Sequence, residues 1–159
     1  MMRTNSAILA TAALLAALSG CASTVDLKES SLTIERILTE PLTGIAGRDR
    51  IRAGLNHMYG LDPAGQKYMD KEPRTLADRH VLSMLWLEPL PADFIAIAVS
   101  GEPCFPVERA LRLTQAKLHN KIRSTGAQTY DAFRNGMLVS FSTTPDEKCV
   151  SFIHIERDR

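Results

Sequence analysis

Four histidines are the first side chains to consider for chemistry, because imidazole binds metals and transfers protons near neutral pH. They are His57, His80, His119 and His154, and each stands alone in the sequence. No His-x-His or His-Glu-x-x-His spacing occurs. Since metal sites are usually built from such spacings, we predict no metal site and no cofactor, and we interpret the histidines as ordinary core or surface residues.

Ser100 is the one candidate nucleophile that its position suggests. It follows an apolar run and precedes Pro106, where a helix could begin, and some α/β folds present a nucleophilic serine in this way. The residues around it do not form Gly-x-Ser-x-Gly, and residues 101–104 (GEPC) have a simpler interpretation as a turn. No carboxylate pair is forced together by spacing either. We therefore predict that the protein is not an enzyme.

The amino terminus has the three parts of a secretion signal. Arg3 supplies a positive charge, and residues 7–18 contain only Ala, Ile, Leu and Thr. A transmembrane helix needs about 20 apolar residues, so this run is too short to be a permanent anchor. The run ends in the tetrapeptide LSGC at residues 18–21, where small residues precede a cysteine.

This tetrapeptide, Leu18-Ser19-Gly20-Cys21, resembles the lipobox of bacterial lipoproteins. The resemblance implies that residues 1–20 are a lipoprotein signal peptide and that Cys21 becomes the lipidated first residue. Each buried methylene adds about 0.8 kcal/mol of membrane affinity, so the acyl chains of such a cysteine would form a permanent membrane anchor. In these lipoproteins an Asp after the cysteine favours the inner membrane. Here an Ala follows, which favours the periplasmic face of the outer membrane.

Cys104 and Cys149 remain when Cys21 carries lipid. In an oxidising compartment an even pair of cysteines is expected to form a disulfide. Cys104 follows one predicted strand and Cys149 begins another, so the bridge fits if those strands are antiparallel neighbours. The alternative is a redox-active or metal-binding pair, but there is no Cys-x-x-Cys spacing to support it.

The single tryptophan, Trp86, lies in the proline-bounded apolar stretch 84–91 (MLWLEPLP). One interpretation places this stretch in the core, because large aromatic side chains are usually mostly buried. The other makes Trp86, Leu87 and Leu90 a partner-binding patch, because Trp and apolar neighbours often anchor interfaces. The sequence leaves both interpretations open.

Charge narrows the choice of partner. The chain has 19 Lys+Arg and 18 Asp+Glu, and loss of Arg3 with the signal would leave the mature protein formally neutral. Nucleic-acid binding requires a concentrated basic excess, so we predict no nucleic-acid partner. Arg48, Arg50 and Arg52 could contact lipid headgroups or an acidic partner, although a solvated helix face is the simpler interpretation.

Hydrophobic periodicity predicts the elements that position these residues. Residues 21–31 are a serine-rich lipidated tether, and 32–159 are a single periplasmic domain. The first predicted element is a short helix over 32–38 capped by Ser30 or Ser31, although Leu32 and Ile34 also suit a strand. The other predicted elements are a helix over 48–59 ended by Gly60, a helix over 76–88 or a strand over 81–87, a strand over 94–99, a helix from Pro106 through Ile122 to a stop at Gly126, a hairpin of 129–134 and 137–142 around Asn135-Gly136, and a strand over 149–156.

These elements predict a small single α+β domain. Its antiparallel sheet would include a C-terminal β-α-β-β-β unit, with helices packed on one face and one disulfide. We expect a lipid-anchored envelope protein that binds another protein or an envelope component without catalysis. The alternative is an immunity or inhibitor lipoprotein that blocks a toxic periplasmic hydrolase, and an envelope hydrolase is a third hypothesis.

Overall fold

The computed structural model describes residues 31–62, 66–121 and 124–158. The predicted signal peptide, Cys21 and all of the tether except Ser31 lie outside these residues, so their predictions stay predictions. Within the described ranges, no helix has the length and apolar character needed to cross a membrane.

Helices come first in the chain and strands dominate the rest of it. The elements of the described residues are α1 (Ile34–Thr39), a 3-10 turn (Pro41–Thr43), α2 (Ile45–Tyr59), β1 (Tyr68–Asp70), β2 (Arg74–Thr75), β3 (Val81–Leu87), β4 (Phe94–Val99), α3 (Val107–Thr114), β5 (Lys117–Lys121), β6 (Gln128–Arg134), β7 (Met137–Thr143) and β8 (Val150–Arg157). The strands form one antiparallel sheet in the order β1-β3-β4-β8-β7-β6-β5, and β2 also pairs with β3. The predicted α+β class and antiparallel sheet are confirmed.

The helices pack on one face of this sheet, as predicted. Side chains alternate along a strand, so one row crosses the sheet on one face. On the helix-covered face, Leu85, Ile97, Ile153 and Phe141 are cross-strand neighbours, and all four are buried. They belong to one hydrophobic core with the buried apolar side chains of α1, α2 and α3.

The two N-terminal helices form close to their predicted positions. The N-cap of α1 is Thr33, whose hydroxyl accepts a hydrogen bond from the Arg36 amide at 3.1 Å; the predicted caps Ser30 and Ser31 are wrong. Thr33 is the cap because its own backbone is extended and the helix begins at the next residue, Ile34. Helix α2 begins at Ile45, before its predicted start, and it ends at Gly60 in the left-handed conformation, as predicted.

The predicted helix over 76–88 is wrong, and the alternative strand over 81–87 is confirmed as β3. This strand lies between β4 and the short strands β1 and β2, so its backbone groups are paired in ladders on both sides. Asp78, which precedes this strand, accepts a hydrogen bond from the Ile34 amide at the start of α1. Pairing across the sheet, which local pattern does not report, decided between the two conformations.

Helix α3 is much shorter than predicted. It ends at Thr114, where Gln115 adopts a left-handed conformation, and residues 117–121 form strand β5 along β6. Leu118, which the predicted helix would have contained, is therefore in a strand and is exposed. Ile122 lies outside the described residues. The C-terminal unit consequently has one strand more than the predicted β-α-β-β-β arrangement. The extra strand forms because the edge of β6 offers backbone hydrogen bonds to residues 117–121, which a longer helix would leave unused.

The predicted hairpin and disulfide are both present. Asn135 and Gly136 have φ values of 52° and 71°, as a two-residue type I′ turn between β6 and β7 requires. Cys104 and Cys149 form a disulfide with 5.3 Å between their Cα atoms. Strands β4 and β8 are antiparallel neighbours, which is the arrangement that the disulfide prediction assumed.

Candidate functional site

The sheet face opposite the helices is the candidate functional site, and we call it the open face. Every buried apolar side chain of α1, α2 and α3 belongs to the core on the other side. The side chains that alternation assigns to the open face are Met84, Trp86, Phe94, Ala96, Ala98, Leu138, Ser140, Ser142, Phe152, His154 and Glu156, with Thr129, Asp131 and Phe133 toward the β5 edge. Several of these are large apolar groups, and Trp86, Phe94 and Phe152 are only half-buried.

Two short side chains of β4, Ala96 and Ala98, lie between larger side chains on the open face. Ala96 is the cross-strand neighbour of Trp86 on β3 and of His154 on β8. Ala98 has Met84 and Phe152 in the equivalent positions. Ala96 is 2% exposed because these larger side chains cover it, so the accessible surface of this part of the sheet is formed mainly by the flanking side chains.

Trp86, Phe94 and His154 form an aromatic series on the open face. The ring centroids of Trp86 and Phe94 are 4.9 Å apart in an edge-to-face arrangement, and those of Phe94 and His154 are 5.1 Å apart. These contacts fix the rings against each other without a covering layer. The series therefore presents a preformed apolar surface.

The indole of Trp86 already has a cation beside it, the ammonium of Lys67. Its Nε1 donates a hydrogen bond to Glu88 Oε2 at 2.9 Å. The ammonium of Lys67 lies 3.2 Å from the same oxygen and 5.8 Å from the indole centroid. Lys67 is a mostly exposed side chain, so a basic side chain from another molecule could replace it between the carboxylate and the ring.

The β5 side of the open face is polar. Asp131 accepts a hydrogen bond from Ser140 Oγ at 2.6 Å and pairs with His119 Nδ1 at 2.8 Å. The same three residue types make the Ser-His-Asp triad, but there the histidine must lie between the other two to take the serine proton. Here the aspartate lies between them. The arrangement orients hydrogen-bonding groups and does not activate Ser140.

The three predicted partner-binding residues lie in three different places. Trp86 is on the open face, whereas Leu87 is 1% exposed and belongs to the core, so its assignment to a binding patch is wrong. The reason is strand alternation, which turns neighbouring side chains to opposite faces. Leu90 is 72% exposed and lies in the turn between β3 and β4, beside the arginines of α2.

The interpretation of the α2 arginines as a solvated face is also wrong for two of them. Arg48 is 4% exposed and the Arg52 side chain is 12% exposed, while Arg50 is half exposed. Arg48 and Arg52 both pair with the buried carboxylate of Asp93. A single distant acidic residue thus draws them inward, and helical periodicity gives no signal for that.

The remaining sequence candidates stay apart from one another. His57 is exposed on α2, and His80 packs edge-on against Phe105 with its Nδ1 3.1 Å from Asp78. Ser100 accepts only a weak hydrogen bond from the Glu102 amide at 3.4 Å. Among the residues that the structure describes, no three His, Cys, Asp or Glu side chains are grouped so that they could hold a metal ion.

Sequence patterns did not identify Phe94, His154 and Asp131 as members of the site. A signal existed for Phe94, because alternation along the predicted strand 94–99 places it on the same face as Ala96 and Ala98. His154 and Asp131 join them only through strand pairing.

No protein-family model matches this chain, and neither a curated protein nor a solved structure matches it. The function must therefore be inferred from the geometry of the site.

Proposed function

We propose that this protein is a lipid-anchored envelope protein that binds another protein through the open face and does not act as a catalyst. The anchor part of the proposal rests on the tetrapeptide ending in Cys21. The binding part rests on one observation above all: the half-exposed aromatic series of Trp86, Phe94 and His154 lies on the face that the helices leave uncovered.

The composition of the open face supports a protein partner. Protein interfaces have an apolar, aromatic-rich centre and a polar rim. Here Trp86, Phe94 and Phe152 provide the apolar centre. Toward the rim, Glu156 pairs with His154 at 3.3 Å, and Asp131 is held by Ser140 and His119. An anchored domain with this arrangement can hold a soluble partner near the membrane surface.

The charges of the open face indicate what the partner presents. Glu88 and the indole of Trp86 together hold the Lys67 ammonium. A partner lysine or arginine next to an apolar side chain could displace Lys67 and place its apolar neighbour against the half-buried rings of Trp86 and Phe94. We therefore propose a partner with a basic residue at the centre of its contact surface.

Capture from envelope extract tests this proposal. The bait is the oxidised chain beginning at Ala22, which retains the whole core because its members lie between Leu32 and Ile155. Wild-type bait is compared with Trp86→Ala and with the control Ile45→Ala, which removes an exposed apolar side chain from α2, outside the open face. We expect one near-stoichiometric protein that the wild type and the control capture and that Trp86→Ala loses.

Two further observations make the result specific. The purified partner should change the emission of Trp86, the single tryptophan, and Glu88→Gln should weaken binding. Equal capture by wild type and Trp86→Ala, or self-association as the only interaction, would contradict the proposal. If the partner is a hydrolase whose activity falls when the domain is added, the inhibitor alternative is supported within the same binding function.

A further inference from the structure

A concave site lies at the end of the sheet where β3 turns into β4. It is an open depression of about 340 Å³ between α2 and the turn that joins β3 to β4. Its lining residues are Arg48, Arg52, Pro89, Leu90 and Asp93. We call it the arginine pocket.

Positive groups outnumber negative ones in the arginine pocket. Arg48 donates to Asp93 Oδ1, Arg52 Nη1 lies 3.2 Å from the same oxygen, and Arg157 Nε lies 3.1 Å from Oδ2. Three guanidinium groups thus share one buried carboxylate. Within the part of the chain that the structure describes, the only other carboxylate paired with them is Asp49, 2.8 Å from Arg48 and half exposed to solvent. Buried cations without full compensation favour an additional anion.

Unused hydrogen-bond donors point to the same conclusion. The Nε atom of Arg48 is buried and has no hydrogen-bond partner among the described residues. Arg52 Nη2 donates only a weak hydrogen bond to the Glu88 backbone carbonyl, at 3.5 Å. The Glu88 carboxylate contacts Trp86 and Lys67 instead. Burial and the neighbouring charge of Arg48 lower the pKa of Arg52. An oxyanion in the pocket would accept a hydrogen bond from Arg52 Nη2 and offset the repulsion between the two guanidinium groups, whereas the buried Arg48 Nε is out of its reach.

The rim of the pocket is apolar, which further limits the chemical class of ligand that would fit it. Leu90 is 72% exposed and stands next to Pro89 at the mouth. An exposed leucine beside buried guanidinium groups suits a ligand that has an anionic head and an apolar substituent. The Asp93 carboxylate would not be displaced, because it holds three arginines in position.

We propose that the arginine pocket binds an oxyanion, a carboxylate or a phosphate, that carries an apolar substituent lying against Leu90. The head would accept hydrogen bonds from Arg52 and the exposed side of the guanidinium cluster, whose planar donors match both kinds of oxyanion. The apolar substituent would cover Leu90. This function is separate from protein binding at the open face.

Titration calorimetry with three probes tests the proposal: inorganic phosphate, octyl phosphate and octanoate, the last two below their micelle concentrations. The variants are Arg52→Gln, which removes a pocket donor, and Leu90→Ser, which removes the apolar rim. Arg50→Gln is the matched control, because Arg50 is on the same helix but half exposed and outside the pocket. The chain beginning at Ala22 is used, and the helical and sheet signals of each variant are checked by circular dichroism.

We expect at least one octyl probe to bind at least about tenfold more tightly than inorganic phosphate, which corresponds to about 1.4 kcal/mol. Arg52→Gln should weaken that probe about tenfold or more, and Leu90→Ser should remove its advantage over inorganic phosphate. Arg50→Gln should leave binding unchanged. The preference between octyl phosphate and octanoate identifies the head group.

The proposal is overturned if neither octyl probe binds, or if Arg50→Gln weakens binding as much as Arg52→Gln does. It is also overturned if Leu90→Ser leaves the octyl probes unaffected. Backbone amide shifts of Glu88, Leu90, Ala92 and Asp93 in the wild type on titration provide an independent readout, since a ligand in the pocket must perturb this turn even if Arg52→Gln does not fold.

Discussion

The two faces of one sheet have different roles, and strand β4 shows the contrast most directly. Its side chains Ile95 and Ile97 are fully buried under the helices, while Phe94 and Ala98 alternate with them on the open face and are half-buried. The covered face is a continuous apolar core. The open face combines aromatic rings, short alanines and paired carboxylates. Stability therefore depends mainly on one face, and the other is the face through which we propose that the protein binds its partner.

The strongest test of this comparison is a matched pair of phenylalanine truncations. Phe141 is fully buried on the covered face of β7, and Phe152 is half-buried on the open face of β8. We expect Phe141→Ala to lower the free energy of unfolding by about 3 to 5 kcal/mol, because it leaves a cavity. Phe152→Ala should cost about 1 kcal/mol, since less contact is lost. Urea unfolding followed by circular dichroism measures both values, and equal losses would refute the assignment of the faces.

The next largest effect is expected at the pairing that joins α2 to the sheet. Asp93→Asn keeps the side-chain shape but leaves three arginines without their shared carboxylate. Because this removes one partner of a buried ion pair, we expect a loss of about 3 kcal/mol in unfolding free energy. The control is Asp49→Asn, which changes a half-exposed carboxylate and should cost less than about 1 kcal/mol. Similar costs for both variants would show that the Asp93 pairing contributes no more than a surface salt bridge.

Reduction of the disulfide should affect the covered side more than the open face. Cys104 precedes α3 and Cys149 precedes β8, with a sequence separation of 45. A loop of this size corresponds to about 4 kcal/mol in the chain-entropy model, and measured values are commonly about 2 to 4 kcal/mol. We expect dithiothreitol to lower the urea midpoint while the emission of Trp86 in the folded protein stays unchanged. The Cys104→Ser, Cys149→Ser double variant, which should not respond to dithiothreitol, is the control.

The smallest effect is expected at the β1 edge of the sheet. The hydroxyl of Tyr68 donates a hydrogen bond to Asp70 Oδ2 at 2.6 Å, and this bond raises the pKa of Tyr68 to about 12. The raised pKa means that the neutral phenol is favoured by folding. Its contribution to stability is therefore complete below about pH 10, the ordinary tyrosine value, and is lost as pH rises toward 12.

Absorbance of tyrosinate at alkaline pH measures this effect. Asp70→Asn should move the Tyr68 transition down toward the ordinary value, and Tyr68→Phe should remove it, which assigns the transition among the three tyrosines. A Tyr68 transition that does not move in Asp70→Asn would show that the carboxylate does not hold the phenol.

Local sequence was sufficient where one element's own residues set its conformation. The β6–β7 hairpin depends on Asn135 and Gly136, which tolerate positive φ, and the end of α2 depends on Gly60 for the same reason. Strand β4 could also be predicted, since a short β-branched run between a proline and a glycine has few alternatives. Local sequence failed at α3 and β5, where the apolar spacing fitted a longer helix but the edge of β6 offered partners for a strand.

The residues of the candidate site show the same division. Trp86 could be identified as a possible contact residue because of its type and neighbours, but its separation from Leu87 required knowledge that the segment is a strand. Asp93 gave no signal at all, because its importance comes from arginines 41 to 64 residues away along the chain meeting at one buried point.

By itself, the sequence determined the Asn135-Gly136 turn, the end of α2 at Gly60, strand β4 and the pairing of Cys104 with Cys149, because these depend on the backbone preferences of a few residues or on simple arithmetic. Tertiary structure alone decided which strands are neighbours, which face the helices cover and where the arginines of α2 find their counter-charge. Those features come from contacts between residues distant in sequence, and their energies are comparable to or larger than the local preferences that they override.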